Sequence, residues 1–344
     1  MDYNEFCAEY EGFARGLCLL GKEVGAELKM PEEDPLYNAG VMSRGGAVAP
    51  DISLVNGRQV KEGFENAKKA HPEMSDEELK AQMVFFVLQA RGSDLSYEKN
   101  GNDVLFGDVT RNRFYAAQVF GDIVGNTNYC AKHIGNMQLI TLEDKGEAMP
   151  RKTEDCKSFV AHIPMAERQE MFLKRGLYHE SVHAALGTDD ERKCDVFALL
   201  KVMKEHPKYA KKVFEVFNYQ RSQINHTVNE IHNAKDIDRA VKSGVMTYVM
   251  PKTYAALRAY AENPERIPAT DKDILKLTYE MTAKPEFSHG ELKEFVGAVR
   301  KEPMDKKALA ATAVMRACQE QGAGMSGYIA AEKMRTAQRQ AGGR

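Results

Sequence analysis

Residues 179–200 read HESVHAALGTDDERKCDVFALL and begin with the pattern H-E-x-x-H at His179, Glu180 and His183. Two residues four apart lie on one face of a helix, so both imidazoles can reach a single ion. Glu180 is rotated about 100° from His179 and can contact a water on that ion. The three residues therefore predict two metal ligands and a base on one helix.

The sequence around this pattern is apolar. Eight apolar residues flank or interrupt it: Phe172, Leu173, Leu177, Tyr178, Val182, Ala184, Ala185 and Leu186. A solvent-facing helix with two hydrated histidines is the alternative, but such a helix is usually more polar. Two histidines and a glutamate on a buried helix are costly without a partner, and a metal satisfies all three. We expect zinc, which imidazole binds well and which needs three protein ligands at a catalytic site.

The residues after His183 predict a tight helix-turn-helix that supplies the third ligand. Gly187 is a natural helix stop, and Glu191 stands in the first turn of the next predicted helix. The turn brings the start of the second helix back toward the end of the first, so Glu191 can face the ion. Asp195, one turn later, can accept a hydrogen bond from the far nitrogen of a ligand imidazole.

Other assignments of these acidic residues stay open. Thr188 and Glu191 also fit a capping box, in which Glu191 bonds the Thr188 amide instead of a metal. Asp195 could be the third ligand itself. Asp189 matches the third ligand of the longer pattern H-E-x-x-H-x-x-G-x-x-H or D, although Gly187 falls one residue late for it.

The order of His179, Glu180 and His183, followed by an E-x-x-x-D segment, resembles the zinc site of the gluzincin group of metallopeptidases. The resemblance implies that His179, His183 and Glu191 bind zinc. It also implies that Glu180 is the general base and that Asp195 orients a zinc-bound histidine. The short interval before Glu191 is similar to that of compact, minigluzincin-like members. The implied activity is zinc-dependent hydrolysis of peptide bonds in a peptide or protein substrate.

Upstream of the motif, two short segments have the hydrophobic pattern that is typical of β-strands. Residues 137–143 (MQLITLE) and 158–164 (SFVAHIP) are short, β-branched and aromatic, and the polar stretch 144–157 separates them. They predict a two-strand ribbon or the edge of a small sheet just before the motif helix, which is the zincin order. The expected fold class is therefore α+β, mainly α, with a zincin-like core.

The rest of the chain has mostly helical periodicity. Helices are predicted over 3–26, 75–91, 110–125, 207–232, 251–262, 271–284, 289–301 and 305–320, and 31–56 is predicted to be irregular. Residues 1–130 are expected to form a mainly helical region of unknown role. Residues 131–320 are expected to form the zincin-like domain, with a weakly helical or disordered tail over 321–344.

Composition excludes several classes of partner. Lys and Arg total 48 against 50 Asp and Glu, so nothing indicates nucleic acid or an anionic membrane. No apolar run has membrane length. Acidic residues interrupt the N-terminal apolar positions, so we expect no export signal. Six cysteines without a C-x-x-C pair indicate reduced thiols and a cytoplasmic location. The oligomeric state stays open.

A second class of function stays open as well. The alternative to a peptidase is a non-catalytic helical interaction or scaffold protein with a structural metal site. Glu180 distinguishes the two, because hydrolysis needs a base and a structural site does not. Four downstream residues could donate a hydrogen bond to an oxyanion, and their spacing selects none: His226, His232, Tyr248 and Tyr254.

Overall fold

The structure is a computed structural model. It describes residues 3–24, 51–80, 82–83, 120, 129–134, 137–142, 163–186, 188, 190–222, 238 and 250–301. The chain divides into two compact units. One contains residues 1–148 and 172–189, and the other contains residues 149–171 and 190–344.

The first unit combines helices with a small sheet. Its described elements are α1 (Tyr3–Glu23), β1 (Asp51–Asn56), α2 (Gly57–Ala70), β2 (Tyr129–Ile134), β3 (Met137–Leu142) and most of α3 (Met165–Leu186). The strand order is β1-β3-β2. β1 runs parallel to β3, with Asp51 opposite Met137, and β2 runs antiparallel to β3, with Tyr129 opposite Leu142.

The helices of this unit form where the sequence has helical periodicity. The apolar residues of α1 recur at spacings of three and four, and Tyr10, Ala14 and Leu17 form its buried face. α1 ends three residues before the predicted boundary at 26. A capping box stands at the predicted start of the helix at residue 75: the Ser75 amide donates to Glu78 Oε2 at 3.0 Å, and the Glu78 amide donates to Ser75 Oγ at 3.3 Å.

The second unit is helical in every element that the structure describes. After the first residues of α3 come α4 (Glu191–Glu205), α5 (Ala210–Ser222), α6 (Pro251–Glu262), α7 (Asp271–Thr282) and α8 (His289–Lys301), with 3₁₀ helices at Pro207–Tyr209 and Pro264–Arg266. α4 is the central helix and packs against α5, α6 and α7. Its residues are buried almost all round, Val196 and Phe197 completely, as expected of a helix without a polar face.

The expected α+β fold class with a zincin-like core is wrong, because the described structure is predominantly helical and no described strand leads into the motif helix. The three strands have six residues each and lie in the first unit alone. β3 falls within the predicted strand 137–143, but both of its edges are already paired, with β1 and β2. β1 comes from the stretch that was predicted to be irregular. Short apolar runs carry no information about which strand they pair with.

The second predicted strand, 158–164, gives no sheet leading into the motif helix. Residues 158–162 lie outside the described residues, and Ile163 and Pro164 form a bend and a coil residue that lead directly into α3. Proline fits this position, since it precedes the first turn and its carbonyl accepts from the Arg168 amide at 2.9 Å. The predicted helices 110–125 (apart from residue 120) and 305–320, and the tail 321–344, also lie outside the described residues.

Candidate metal centre

The helix α3 carries the whole H-E-x-x-H motif near its C-terminal end. It packs against α1 through Tyr178, whose ring centroid lies 5.0 Å from that of Phe13 and 6.2 Å from that of Tyr10. Next to this contact, His179 is 5% exposed, whereas Glu180 is only partly buried. The helix therefore buries one motif histidine while leaving the glutamate within reach of water.

The two motif imidazoles converge through their Nε2 atoms, which lie 3.2 Å apart. On the other side of its ring, His183 Nδ1 lies 2.6 Å from the main-chain oxygen of Thr188. A carbonyl oxygen can only accept, so Nδ1 carries the hydrogen, and in the neutral imidazole Nε2 then carries the lone pair. The lone pair of His183 is therefore aimed at the space beside His179 Nε2.

This arrangement fits a zinc ion. Nitrogen ligands lie about 2.0–2.1 Å from zinc, so two of them on a tetrahedral ion are about 3.3 Å apart, close to the 3.2 Å between His179 and His183. A main-chain carbonyl on the far nitrogen is also the usual partner of a metal-binding histidine. The same separation spans an N–H···N hydrogen bond if His179 Nε2 carries a hydrogen.

In the second unit, α4 begins at Glu191, and Asp190 is its N-cap, accepting from the Arg192 amide at 3.1 Å. The capping box at Thr188 is therefore the wrong interpretation of Glu191, which occupies the first helical position instead of the third. Aspartate is among the best N-cap residues. Three acidic residues in a row at 189–191 made the cap ambiguous in the sequence.

The side chains of Glu191 and Asp195 meet the guanidinium of Arg221, from the last turn of α5. Asp195 is completely buried and accepts twice: from Nε at 2.5 Å and from Nη2 at 2.9 Å. The same Nη2 lies 3.4 Å from Glu191 Oε2. Burial lowers the pKa of Arg221, but the charge and hydrogen bonds of Asp195 outweigh this and raise the pKa above its ordinary value.

Sequence reasoning missed Arg221, because nothing in the sequence selects a pair 26 residues apart. It also passed over Cys194, a buried residue of a metal-binding type on α4, although a cysteine beside Asp195 was a usable signal. Tyr279 is half-buried near Cys194 and Asp190, and burial followed by their charges raises its pKa.

The remaining predicted candidates divide into two groups. Tyr254 is completely buried, with its ring centroid 5.8 Å from that of Phe214, so its ring belongs to the core of the second unit. Four candidates lie outside the described residues: Asp189, His226, His232 and Tyr248.

Comparison of the chain with protein-family models, with curated proteins and with solved structures gave no match. Among the helices that the structure describes, none is both long enough and apolar enough to cross a membrane. The motif and the geometry of its residues are therefore the features that indicate a function.

Proposed function

We propose that this protein is a zinc-dependent peptidase in which His179 and His183 hold the metal and Glu180 is the general base. The observation that supports this most directly is the fixed tautomer of His183, whose Nδ1 hydrogen goes to the Thr188 carbonyl at 2.6 Å. A histidine at a helix surface has no need of such a constraint. A metal-binding histidine does, because its coordinating nitrogen must present a lone pair.

The residues divide the chemistry between them. When bound, a zinc ion supplies Lewis acidity, which lowers the pKa of a bound water toward about 7 and polarises a carbonyl oxygen. Glu180 takes the proton of the attacking water at its carboxylate and returns it to the amine nitrogen that leaves. Its partial exposure allows both substrate and water to reach it.

The third ligand in this proposal is Glu191, and Asp195 supports the ligand set. Both are acidic residues on the helix that follows the motif, and both are mostly or fully buried. Cys194 is the competing candidate, because a thiolate binds zinc well. A peptide or protein substrate and a cytoplasmic location belong to the same proposal.

The test compares Glu180→Gln with wild type in full-length protein at equal zinc content, using casein and a peptide library as substrates. The amide keeps the volume and one acceptor oxygen but removes the basicity. We expect Glu180→Gln to retain zinc and to lose at least about 10²-fold in hydrolysis. Glu170→Gln is the matched control, because Glu170 lies on the same helix with its side chain 49% exposed, and it should cleave like wild type.

Two results would contradict the peptidase. One is equal cleavage by Glu180→Gln and wild type. The other is a wild-type protein that holds a full complement of zinc and cleaves none of these substrates. The second result would favour a non-catalytic helical interaction or scaffold protein with a structural metal.

A further inference from the structure

Three aromatic rings join the metal-binding half of α3 to α1. Tyr178 directly precedes His179, and its ring centroid lies 5.0 Å from that of Phe13 and 6.2 Å from that of Tyr10. The ring planes are tilted by 52° and 49°, and aromatic pairs at such separations attract one another. Tyr10 and Tyr178 are each 5% exposed, so little of this contact is open to water. Tyr10, Phe13 and Tyr178 form the aromatic cluster between the two helices.

The motif lies at the end of its helix, where a helix opens most easily. α3 ends at Leu186, and His183 stands in its last turn. The last four carbonyl groups of a helix have no partner within it, so the terminal turn is prone to local opening. An open turn would separate the two imidazoles, because their Nε2 atoms lie 3.2 Å apart only while residues four apart share a helix face. The pair therefore depends on contacts that keep the end of α3 helical.

The aromatic cluster is placed to supply such a contact. Tyr178 and Val182 are four residues apart, and their stripe of α3 is rotated by about 100° from the stripe of His179 and His183. Val182 is completely buried, and Ala185, almost one turn further on, is 1% exposed. The buried stripe beside the two histidines thus begins at the contact with α1 and continues to one residue before the end of the helix.

We propose that α1, through the aromatic cluster, positions the two metal-binding histidines by keeping the last two turns of α3 helical. This inference rests on the proposed function. It assigns a role to α1, which begins the region 1–130 whose role the sequence left open. Phe13 and Tyr10 are positioning residues that act through Tyr178. A metal binds tightly only to the fraction of molecules whose turn is formed, so the apparent affinity falls in proportion to that fraction.

The test measures zinc affinity in the full-length protein by competition with a chromophoric chelator. Phe13→Leu keeps an apolar side chain but removes the nearer of the two rings that contact Tyr178. We expect its zinc affinity to fall about 3 to 10-fold, which corresponds to the contribution of one aromatic pair. Phe13→Tyr keeps the ring, and its hydroxyl can reach water because position 13 is only partly buried. This variant should bind zinc like wild type.

The matched control is Phe64→Leu. Phe64 lies on α2 in the same unit and is 7% exposed, and its ring centroid is 4.8 Å from that of Phe120. The control therefore loses a comparable aromatic pair that belongs to neither α1 nor α3, and it should bind zinc like wild type. Hydrogen exchange gives a second readout. Without zinc, the amides of 183–186 should exchange faster in Phe13→Leu than in Phe64→Leu, and saturating zinc should remove the difference.

The outcomes separate this inference from the function beneath it. If Phe13→Leu binds zinc as tightly as wild type while His183→Ala does not bind it, the aromatic cluster has no positioning role and the zinc site stands. Equal losses in Phe13→Leu and Phe64→Leu would also overturn the inference, because they would reflect general destabilisation. If His179→Ala and His183→Ala bind zinc as wild type does, the proposed function fails. If Phe13→Leu does not fold, Tyr10→Leu decides: wild-type affinity would overturn the inference, and a weaker affinity would support it.

Discussion

The Nδ1 atom of His183 lies 2.6 Å from the main-chain oxygen of Thr188, the first residue described after α3. The hydrogen bond does two things at once. It restricts the rotation of the imidazole ring, and it fixes which nitrogen of the neutral ring carries the lone pair. With His179 Nε2 at 3.2 Å from His183 Nε2, the end of α3 has the geometry of half a tetrahedral zinc site.

The first prediction concerns metal content. Purified protein should carry about one zinc per chain, because two preoriented imidazoles lower the entropic cost of forming the site. His179→Ala should lose most of it, as measured by elemental analysis after dialysis against a weak chelator. His71→Ala is the control, since His71 is exposed and its nearest acidic partner, Glu73, is exposed as well. Equal zinc in His179→Ala and His71→Ala would exclude the motif as the metal site.

The second prediction concerns the third ligand. Glu191→Ala should lower zinc affinity far more than Asp189→Ala, with Asp195→Ala intermediate, because loss of a residue that only supports a ligand costs about 10 to 100-fold. The measurement is zinc affinity determined by competition with a chromophoric chelator. If Asp189→Ala alone removes the metal, the longer spacing pattern is correct. If Cys194→Ala removes it while Glu191→Ala does not, the thiol is the ligand.

The third prediction concerns the stability of the second unit. Glu286 is 6% exposed, and its carboxylate accepts from the amides of Lys252 and Thr253, at 2.8 and 3.1 Å, and from the Thr253 hydroxyl. It therefore caps the first turn of α6 from a distant loop and complements the helix dipole. Glu286→Ala should destabilise the protein by about 1–3 kcal/mol, because buried amides lose their acceptor.

Urea denaturation followed by circular dichroism measures this change. Glu280→Ala serves as the control, since that glutamate is exposed on α7 and the substitution should change the free energy of unfolding by less than about 0.5 kcal/mol. Unchanged midpoints for both variants would mean that Glu286 does not cap α6.

The fourth prediction separates the observed cap of α4 from the one expected at Thr188. Asp190→Ala removes the N-cap oxygen and should cost about 1 kcal/mol. Thr188→Ala should cost less, since the residue lies outside the helix. Thermal unfolding of the two variants gives the comparison. A larger shift for Thr188→Ala would restore the capping box as the correct description of this turn.

Helix boundaries were the most predictable part of the fold. α6 and α8 have the predicted limits, 251–262 and 289–301, and α7 begins at the predicted residue 271. Local signals sufficed here: Pro251 stands at the first position of α6, and the Thr270 hydroxyl accepts from the Asp273 amide at 3.2 Å to cap α7. These signals lie within a few residues of the boundary that they define.

Features that depend on distant residues were not predictable. The partners of β3 come from 51–56 and 129–134, and short strands do not specify their partners in sequence. Arg221 pairs with Asp195 only because α5 packs against α4. By contrast, the shared face of His179 and His183 followed from helical spacing alone, and the 3.2 Å between their nitrogens agrees with it.

The partner of His183 is a main-chain atom, and this has a consequence for how the protein tolerates change. No side-chain substitution at position 188 deletes the carbonyl oxygen, so the hydrogen bond that fixes the tautomer of His183 does not depend on the side chain at that position. The number of residues between Leu186 and Thr188 does matter, because one inserted or deleted residue would move the Thr188 carbonyl away from the His183 ring. The number of residues between the motif helix and Thr188 therefore matters more for the orientation of His183 than the identity of those residues.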